Sequence, residues 1–429
     1  MIAASTLLGM AALVAVHFLL LHTYWDYSEG VYALTAHEIL HGGDLYGRIV
    51  GAQPPGVFLT GTALLAVHDG VEWLRFAVAC LQLAAGLISA RIVFRVTGNR
   101  MATALTPAAI LLTPWAIHEH GALTPELVAL PVMLGAALLA ADDRRGVWTG
   151  VLCGLLVLIK FPLAIPAVTI VALAADTRRA ALSGALVLAA GLVAAWIGGG
   201  DGFWRDVFIA QLHSGSRTLG QLKGFWAQAG WNLVGLLFCA GAAVWLRRFG
   251  RDRRLLTISI ALAVANLVTF LTNFKEGTGL NITVPVEASL VPLAAIGTVF
   301  AFRTARSGER TGWLPALCGA ALLFTLAQGM SLIASPTDPV PFLRAFSAPA
   351  WEITLTAPQF EGAVRDARAC PSGEVLGGPP LVALAAGRSL PAGQPDEFLP
   401  GHSSTLAAVN AQIAAVKPVC PGPPIRVAR

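Results

Sequence analysis

Apolar stretches of about 20 residues recur from residue 2 to residue 334, each long enough to cross a hydrocarbon core ~30 Å thick. That repetition constrains the fold more than any other feature of the chain. The composition agrees: 56% of the residues are hydrophobic, 12% are charged and the mean hydropathy is +0.69. A soluble domain carries about 25% charged residues. A membrane β-barrel would alternate polar and apolar residues in segments of about 10, and such segments are missing from the sequence. The reading is an all-α polytopic membrane protein. The net charge of +5 does not point to nucleic acid, because the basic residues are mostly arginines clustered between apolar runs. Such clusters are the usual cytoplasmic anchors of membrane helices.

The pattern predicts eleven transmembrane helices, at 2–22, 73–97, 101–117, 122–141, 147–162, 163–175, 180–199, 226–246, 255–273, 280–301 and 312–334. The first run lacks a basic n-region and a convincing cleavage site, so it reads as a retained helix. Pro162 and Pro166 interrupt the short pair 147–162 and 163–175. Segment 57–67 is too short to span easily and is expected to lie at the interface or dip into the bilayer. With the N-terminus cytoplasmic, the inner loops hold 15 basic residues and the outer loops 6, which favours a C-terminus outside. Arginine outnumbers lysine 25 to 4 in an Ala/Gly-rich chain, a composition that suits a GC-rich bacterium. The expected location is then the cytoplasmic (inner) membrane. In this topology the loop 23–72, the stretch HEHGALTPE, Lys160, the loop 200–224 and FKEGTG all reach the outer face.

Residues 1–334 are thus read as a transmembrane domain, with the chemistry-bearing motif in the outer loop 23–72. The tail 335–429 holds 15 of the 26 prolines and no spanning run, which predicts a small, loop-rich extracytoplasmic domain. Four of the six cysteines lie in spans and read as small buried apolar residues. Cys370 and Cys420 lie in the tail, where they can form a disulfide. Closing a loop of about 50 residues is worth roughly 4 kcal/mol; the alternative is two unpaired thiols.

Asp26 and Glu29 share a face on a helical turn, at the start of a helix-patterned stretch that ends at His-Gly-Gly. They suit two roles: solvated acids favoured by the helix dipole, or a carboxylate held near a reaction centre as general base. Pro54 and Pro55 forbid helix continuation and restrict Gln53 to extended geometry, which would fix where the loop re-enters the membrane. Lys160 is the only charge between Arg145 and Asp176. A lysine there must snorkel, pair, or meet an anion such as a lipid phosphate. His118, Glu119, His120 and Glu126 fall within nine residues, but His-x-His on a short loop needs further ligands to hold a metal. Glu126 follows Pro125 and suits either capping or substrate positioning. Lys275 is placed at the outer mouth, and Glu287 inside an apolar span is a functional candidate by default.

Several stretches carry a family resemblance: SEGVYALTAHEILHGGDLYGRIVGAQPPGVFL with its acid, G-x-L-Y and double proline, GLLVLIKFPLAIP, LTPELVALPVMLGAALLA and VPVEASLVPLAA. Over roughly residues 20–300 the chain resembles the GT-C superfamily of polyprenyl-phosphate-sugar-dependent glycosyltransferases. The nearest look is to family 39-like members, relatives of the protein O-mannosyltransferases and lipid A aminoarabinose transferases. The resemblance implies a GT-C-like fold with interfacial helices in the first outer loop. It also implies a polyprenyl-phosphate-linked sugar donor, a lipid, glycan or protein acceptor, and transfer with inversion. Asp26 or Glu29 would deprotonate or orient the acceptor hydroxyl. Lys160, with a basic residue such as Arg205, Arg217 or Lys275, would stabilise the leaving phosphate, while Glu126, Gln53, His118, His120 and Glu287 would help bind substrate. A divalent cation is left open as cofactor, since some members of the superfamily use one. The chain departs from the family pattern at Ser28, where the family often has Asp, and at Gln53, where it often has lysine. Two other classes compete: a transporter or flippase using Lys160 and Glu287 as pathway charges, and a noncatalytic assembly subunit with the tail as binding module. No internal repeat of the transporter kind is visible.

Overall fold

A computed structural model describes residues 2–20, 23–25, 27–272, 280–307, 312–334, 354–371, 376–377, 379–396, 398–416 and 420–421. Asp26 and Lys275 lie outside the described residues. The architecture is helical. Fifteen helices are described up to residue 334: α1 (Ile2–Leu20), α2 (Tyr27–Leu40), α3 (Pro55–Leu65), α4 (Val71–Thr97), α5 (Arg100–Leu111), α6 (Pro114–His118), α7 (Pro125–Ala140), α8 (Gly146–Ile159), α9 (Ala164–Leu173), α10 (Thr177–Trp204), α11 (Ala210–Leu212), α12 (Leu219–Trp245), α13 (Arg253–Leu271), α14 (Thr283–Arg306) and α15 (Leu314–Ala334).

Among the described residues, four stretches are long and apolar enough to cross a membrane: Val71–Thr97, Thr177–Leu212, Arg253–Leu271 and Thr283–Arg306. The expected spans 2–22, 226–246 and 312–334 correspond to α1, α12 and α15, of 19, 27 and 21 residues, and 122–141, 147–162 and 163–175 to the shorter α7, α8 and α9. The segment 101–117 does not form one helix: it breaks between α5 and α6, where Pro114 opens the second. Lys160 adopts extended φ/ψ at the end of α8, and Phe161–Leu163, with Pro162 lacking an N–H at its second position, forms a short 3₁₀ turn before α9. The segment expected to dip into the bilayer is α3, which starts at Pro55 and buries Val57, Phe58, Gly61 and Leu65.

Small residues bring the helices close, as membrane packing favours. Gly150 and Gly154 of α8 lie against the backbone of α10 at Ala180 and Gly184, and Gly297 of α14 lies against Cys239 of α12. On its other side α10 exposes Leu182, Leu186, Val193, Trp196 and Ile197, a face that lipid would cover. Gly200 (φ +55°) breaks α10 near its end, a left-handed conformation that glycine adopts without strain.

The ends of the bundle differ in chemistry. At one end Arg95 pairs with Asp252 at 2.5 Å, and Arg303 donates to the carbonyls of Thr97 and Phe249. Asp143, in the turn between α7 and α8, lies 3.6 Å from Arg254 at the start of α13, at this same end. The first turns of α4, α7 and α14 and the last residue of α8 lie at the other end, and these carry the polar residues of the candidate site.

The tail docks on the first loop. Thr23–Trp25 pairs antiparallel with Thr354–Thr356. Helix Pro380–Ala386 packs on α2, with Gly30 placed against Pro380 and Leu381. Gln394 accepts from the Val50 amide at 3.0 Å and donates to the Arg48 carbonyl at 2.7 Å. Cys370 is disulfide-bonded, and Cys80, Cys153, Cys239 and Cys318 are free. The backbone of Cys420 pairs in parallel with Leu376.

Candidate active site

Glu29 sits in the first turn of α2 and is 2% exposed. Its carboxylate lies 3.1 Å from Nε of Arg75, itself buried in the first turns of α4. Isolated charges at such depth would be costly, so the two depend on each other. The Arg75 guanidinium also reaches the His120 carbonyl at 3.5 Å. Ser28, the neighbour of Glu29, is half-buried.

Residues 113–130 are buried without a break, and this segment forms the floor of the site. Four groups hold it. Glu287 of α14 accepts from the Trp115 amide at 3.1 Å and so caps the first turn of α6, where amides lack helical partners. Gln82 of α4 donates to the Ala116 carbonyl at 3.2 Å and accepts from the Gly121 amide at 3.3 Å. Arg75 supplies the third hold and Gly121 itself the fourth. Gly121 has φ +70°, and a Cβ there would stand 2.8 Å from the Arg75 carbonyl. His118 is packed on Trp115 (ring centroids 4.8 Å apart), and its Nδ1 lies 3.1 Å from the Glu119 carboxylate.

Beyond this loop, Glu126 begins α7 and is fully buried. One of its oxygens pairs with the Lys160 ammonium, and the other accepts from Asn281 Nδ2 at 3.1 Å. Lys160 is 6% exposed, so it is held inside the protein rather than extended to solvent. An ammonium carries three N–H donors; the Glu126 contact uses one.

Glu119 lies electrostatically between these groups. Burial pushes its carboxyl up to about 8, with Glu126 adding to the rise and Lys160 opposing it. An acid whose folded value exceeds its ordinary 4.5 binds a proton in the folded state that the unfolded chain has lost. Its contribution to stability is therefore whole below about pH 4.5 and disappears as pH rises through about 8. Glu119→Gln removes this titration. Its melting temperature is expected to fall less than that of the wild type between about pH 6 and pH 9; equal falls would show that Glu119 does not titrate there.

The remaining expected residues lie on the rim. Gln53 accepts the Tyr46 hydroxyl through its backbone carbonyl at 2.7 Å. Arg205 donates to Asp206 at 2.6 Å, and the buried Asp206 accepts from the Gly51 amide at 3.2 Å. Gln211 donates to the Ala52 carbonyl at 2.7 Å. Arg205 thus acts with its neighbours to hold residues 46–52 in place. Arg217 is half-buried in the segment between α11 and α12, and His120 is buried with its carbonyl facing Arg75.

Arg75, Gln82, Asn281 and Asp206 were not singled out by sequence reasoning. Arg75 was legible as a charge inside an apolar span, itself a functional signal. The role of Asn281 as a partner of Glu126 depends on a tertiary contact between residues 155 apart in sequence. A cavity of about 1180 Å³ is lined by His37, Asp69, Trp73, Phe360 and Arg365 among others, and not by Glu29, Glu126 or Lys160.

No protein-family model matches the sequence, and no curated protein matches it. Solved structures do share its architecture. ArnT from Cupriavidus metallidurans, bound to undecaprenyl phosphate, superposes with a TM-score of 0.61 at 14% identity, over 95% of this chain and 88% of that one. The archaeal oligosaccharyltransferase AglB from Archaeoglobus fulgidus, in complex with an inhibitory peptide and a dolichol-phosphate, gives 0.52 at 11% identity. That match covers 85% of this chain and 58% of AglB.

Proposed function

Because the chain has the GT-C fold, we propose that it is a membrane glycosyltransferase that moves a sugar from a polyprenyl-phosphate-linked donor to an acceptor hydroxyl, at the outer face of the cytoplasmic membrane and with inversion. The observation that carries this reading is a pair of buried charged centres joined to one buried segment. Glu29 pairs with Arg75, which reaches the His120 carbonyl, and Lys160 pairs with Glu126, which also accepts from Asn281. Both neighbouring folds were solved with a lipid phosphate, undecaprenyl phosphate in ArnT and a dolichol-phosphate in AglB.

In this reading the acceptor oxygen attacks the anomeric carbon as the bond from that carbon to the phosphate oxygen breaks. Glu29 or Asp26 takes the hydroxyl proton or orients the hydroxyl. Arg75 fixes the Glu29 carboxylate against α4. Lys160, positioned by Glu126, donates to the phosphate oxygens as negative charge collects on the leaving group. Arg205 and Asp206 shape the rim loop 46–52. Glu287 serves through the start of α6, which it caps, rather than by touching substrate. The arginine-rich end of the bundle faces the cytoplasm, as the loop charges favour, and the tail lies outside.

The test compares Asp26→Asn with Glu29→Gln in nanodiscs supplied with a radiolabelled polyprenyl-phosphate sugar that the wild type consumes. One variant is expected to lose at least about 100-fold in turnover, the lower end of the 10²–10⁴-fold range that a general base supplies. Full turnover in an Asp26→Asn/Glu29→Gln double variant would remove these acids from the mechanism.

A further inference from the structure

We propose that His37, His41 and Asp69 form a divalent transition-metal site at the outer end of α2, separate from the Glu29 and Lys160 centres. The sequence over 37–41 is His-Glu-Ile-Leu-His. A spacing of four places both imidazoles on one face of a helix, the arrangement that zinc-binding helices use. The structure brings a third donor to that face from another element. Asp69, in the connection between α3 and α4, has Oδ1 3.0 Å from His37 Nδ1 and Oδ2 3.9 Å from His41 Nε2. One donor atom from each of the three residues lies within 4.8 Å of the others.

The second observation concerns which nitrogen is available. His41 Nδ1 lies 2.9 Å from the His37 carbonyl, an oxygen that can only accept. The Nδ1 proton is therefore donated to that carbonyl, which leaves the lone pair on Nε2, the nitrogen that points to Asp69. A backbone carbonyl in this position is the usual outer partner of a metal-bound imidazole. The imidazole rings of His37 and His41 lie side by side, with centroids 4.2 Å apart. Two imidazoles and a carboxylate suit Zn²⁺, Co²⁺ or Ni²⁺ better than Mg²⁺ or Ca²⁺, which prefer oxygen donors throughout. His37 and Asp69 also line the 1180 Å³ cavity, so water or a ligand can complete the coordination sphere. An ion here ties the end of α2, the helix that carries Glu29, to the α3–α4 connection.

The test uses full-length protein carrying no polyhistidine tag, purified with a chelator and held in nanodiscs. Zn²⁺ is titrated against a chromophoric competitor, and bound metal is counted by mass spectrometry after dialysis. One Zn²⁺ per chain is expected, with affinity reduced at least about 10-fold in His37→Ala/His41→Ala and in Asp69→Asn, since loss of even an outer partner costs that much. Zn²⁺ is also expected to raise the melting temperature of the wild type but not of Asp69→Asn, whose metal-free melting temperature serves as the control for folding. The proposal is overturned if wild type takes up no stoichiometric Zn²⁺, or if both variants bind it as the wild type does.

Discussion

Replacing Lys160 by methionine is expected to lower the rate of polyprenyl-phosphate release by about 10²–10³, the loss that follows removal of one preorganised donor to a developing negative charge. The side chain is 6% exposed and its ammonium is fixed by Glu126, so it cannot be replaced by a mobile surface cation. Methionine keeps the length of the stem and removes the charge. The substitution also strands Glu126, which would keep only its hydrogen bond from Asn281. Stability and chemistry are separated by the double variant Lys160→Met/Glu126→Gln. It is expected to regain thermal stability while turnover stays low. Recovery of turnover in the double variant would show that Lys160 serves only to neutralise Glu126.

The second large effect is structural. Arg75→Ala is expected to cost about 3–5 kcal/mol, because it leaves the Glu29 carboxylate buried without its cation. It also removes the contact between α4 and the His120 carbonyl, which helps hold the buried loop 113–124. Glu29→Gln/Arg75→Met replaces the pair with uncharged groups of similar volume and is expected to recover most of the loss. Arg75→Lys should recover less, since an ammonium cannot reach the carboxylate and the carbonyl with a planar fork. Unfolding midpoints of the four proteins in one lipid or detergent system decide it. Unchanged stability in Arg75→Ala would mean that the pair carries no structural load.

Much of the architecture was legible in the sequence, for a physical reason. Membrane-length apolar runs leave helices as the main solution, and Pro54–Pro55 and Pro162 fixed the breaks that open α3 and end α8. The site was legible only in part. Lys160 and Glu126 stood out separately, one as a charge in an apolar run and one as the acid after Pro125. Their pairing joins residues 34 apart in sequence and could not be read from spacing. Glu287 drew attention as an intramembrane acid, and the structure gives its carboxylate to the start of α6 rather than to a transport pathway. Arg75 stood inside the span 73–97 as a charge in an apolar run, but its partner Glu29 lies on another helix. Gln53 and Arg205 were expected at the substrate, whereas the structure uses the Gln53 carbonyl and the Arg205–Asp206 pair to shape the rim. In each case the residue type was informative and the partner was not, because the partner came from a distant helix.

The docking of the tail was likewise outside the reach of local pattern. Its composition marked 335–429 as a separate material, yet helix Pro380–Ala386 packs directly on α2, and Gln394 grips the loop at Arg48 and Val50. The tail therefore bears on the loop that begins with Glu29.

The most direct measurement follows donor consumption by the purified protein in nanodiscs, with a panel of radiolabelled polyprenyl-phosphate sugars and the Lys160→Met variant alongside. The account predicts release of polyprenyl phosphate from at least one donor by the wild type, and a loss of about 10²–10³ in the variant. A panel left intact and unbound by the wild type would contradict the assignment as a glycosyltransferase.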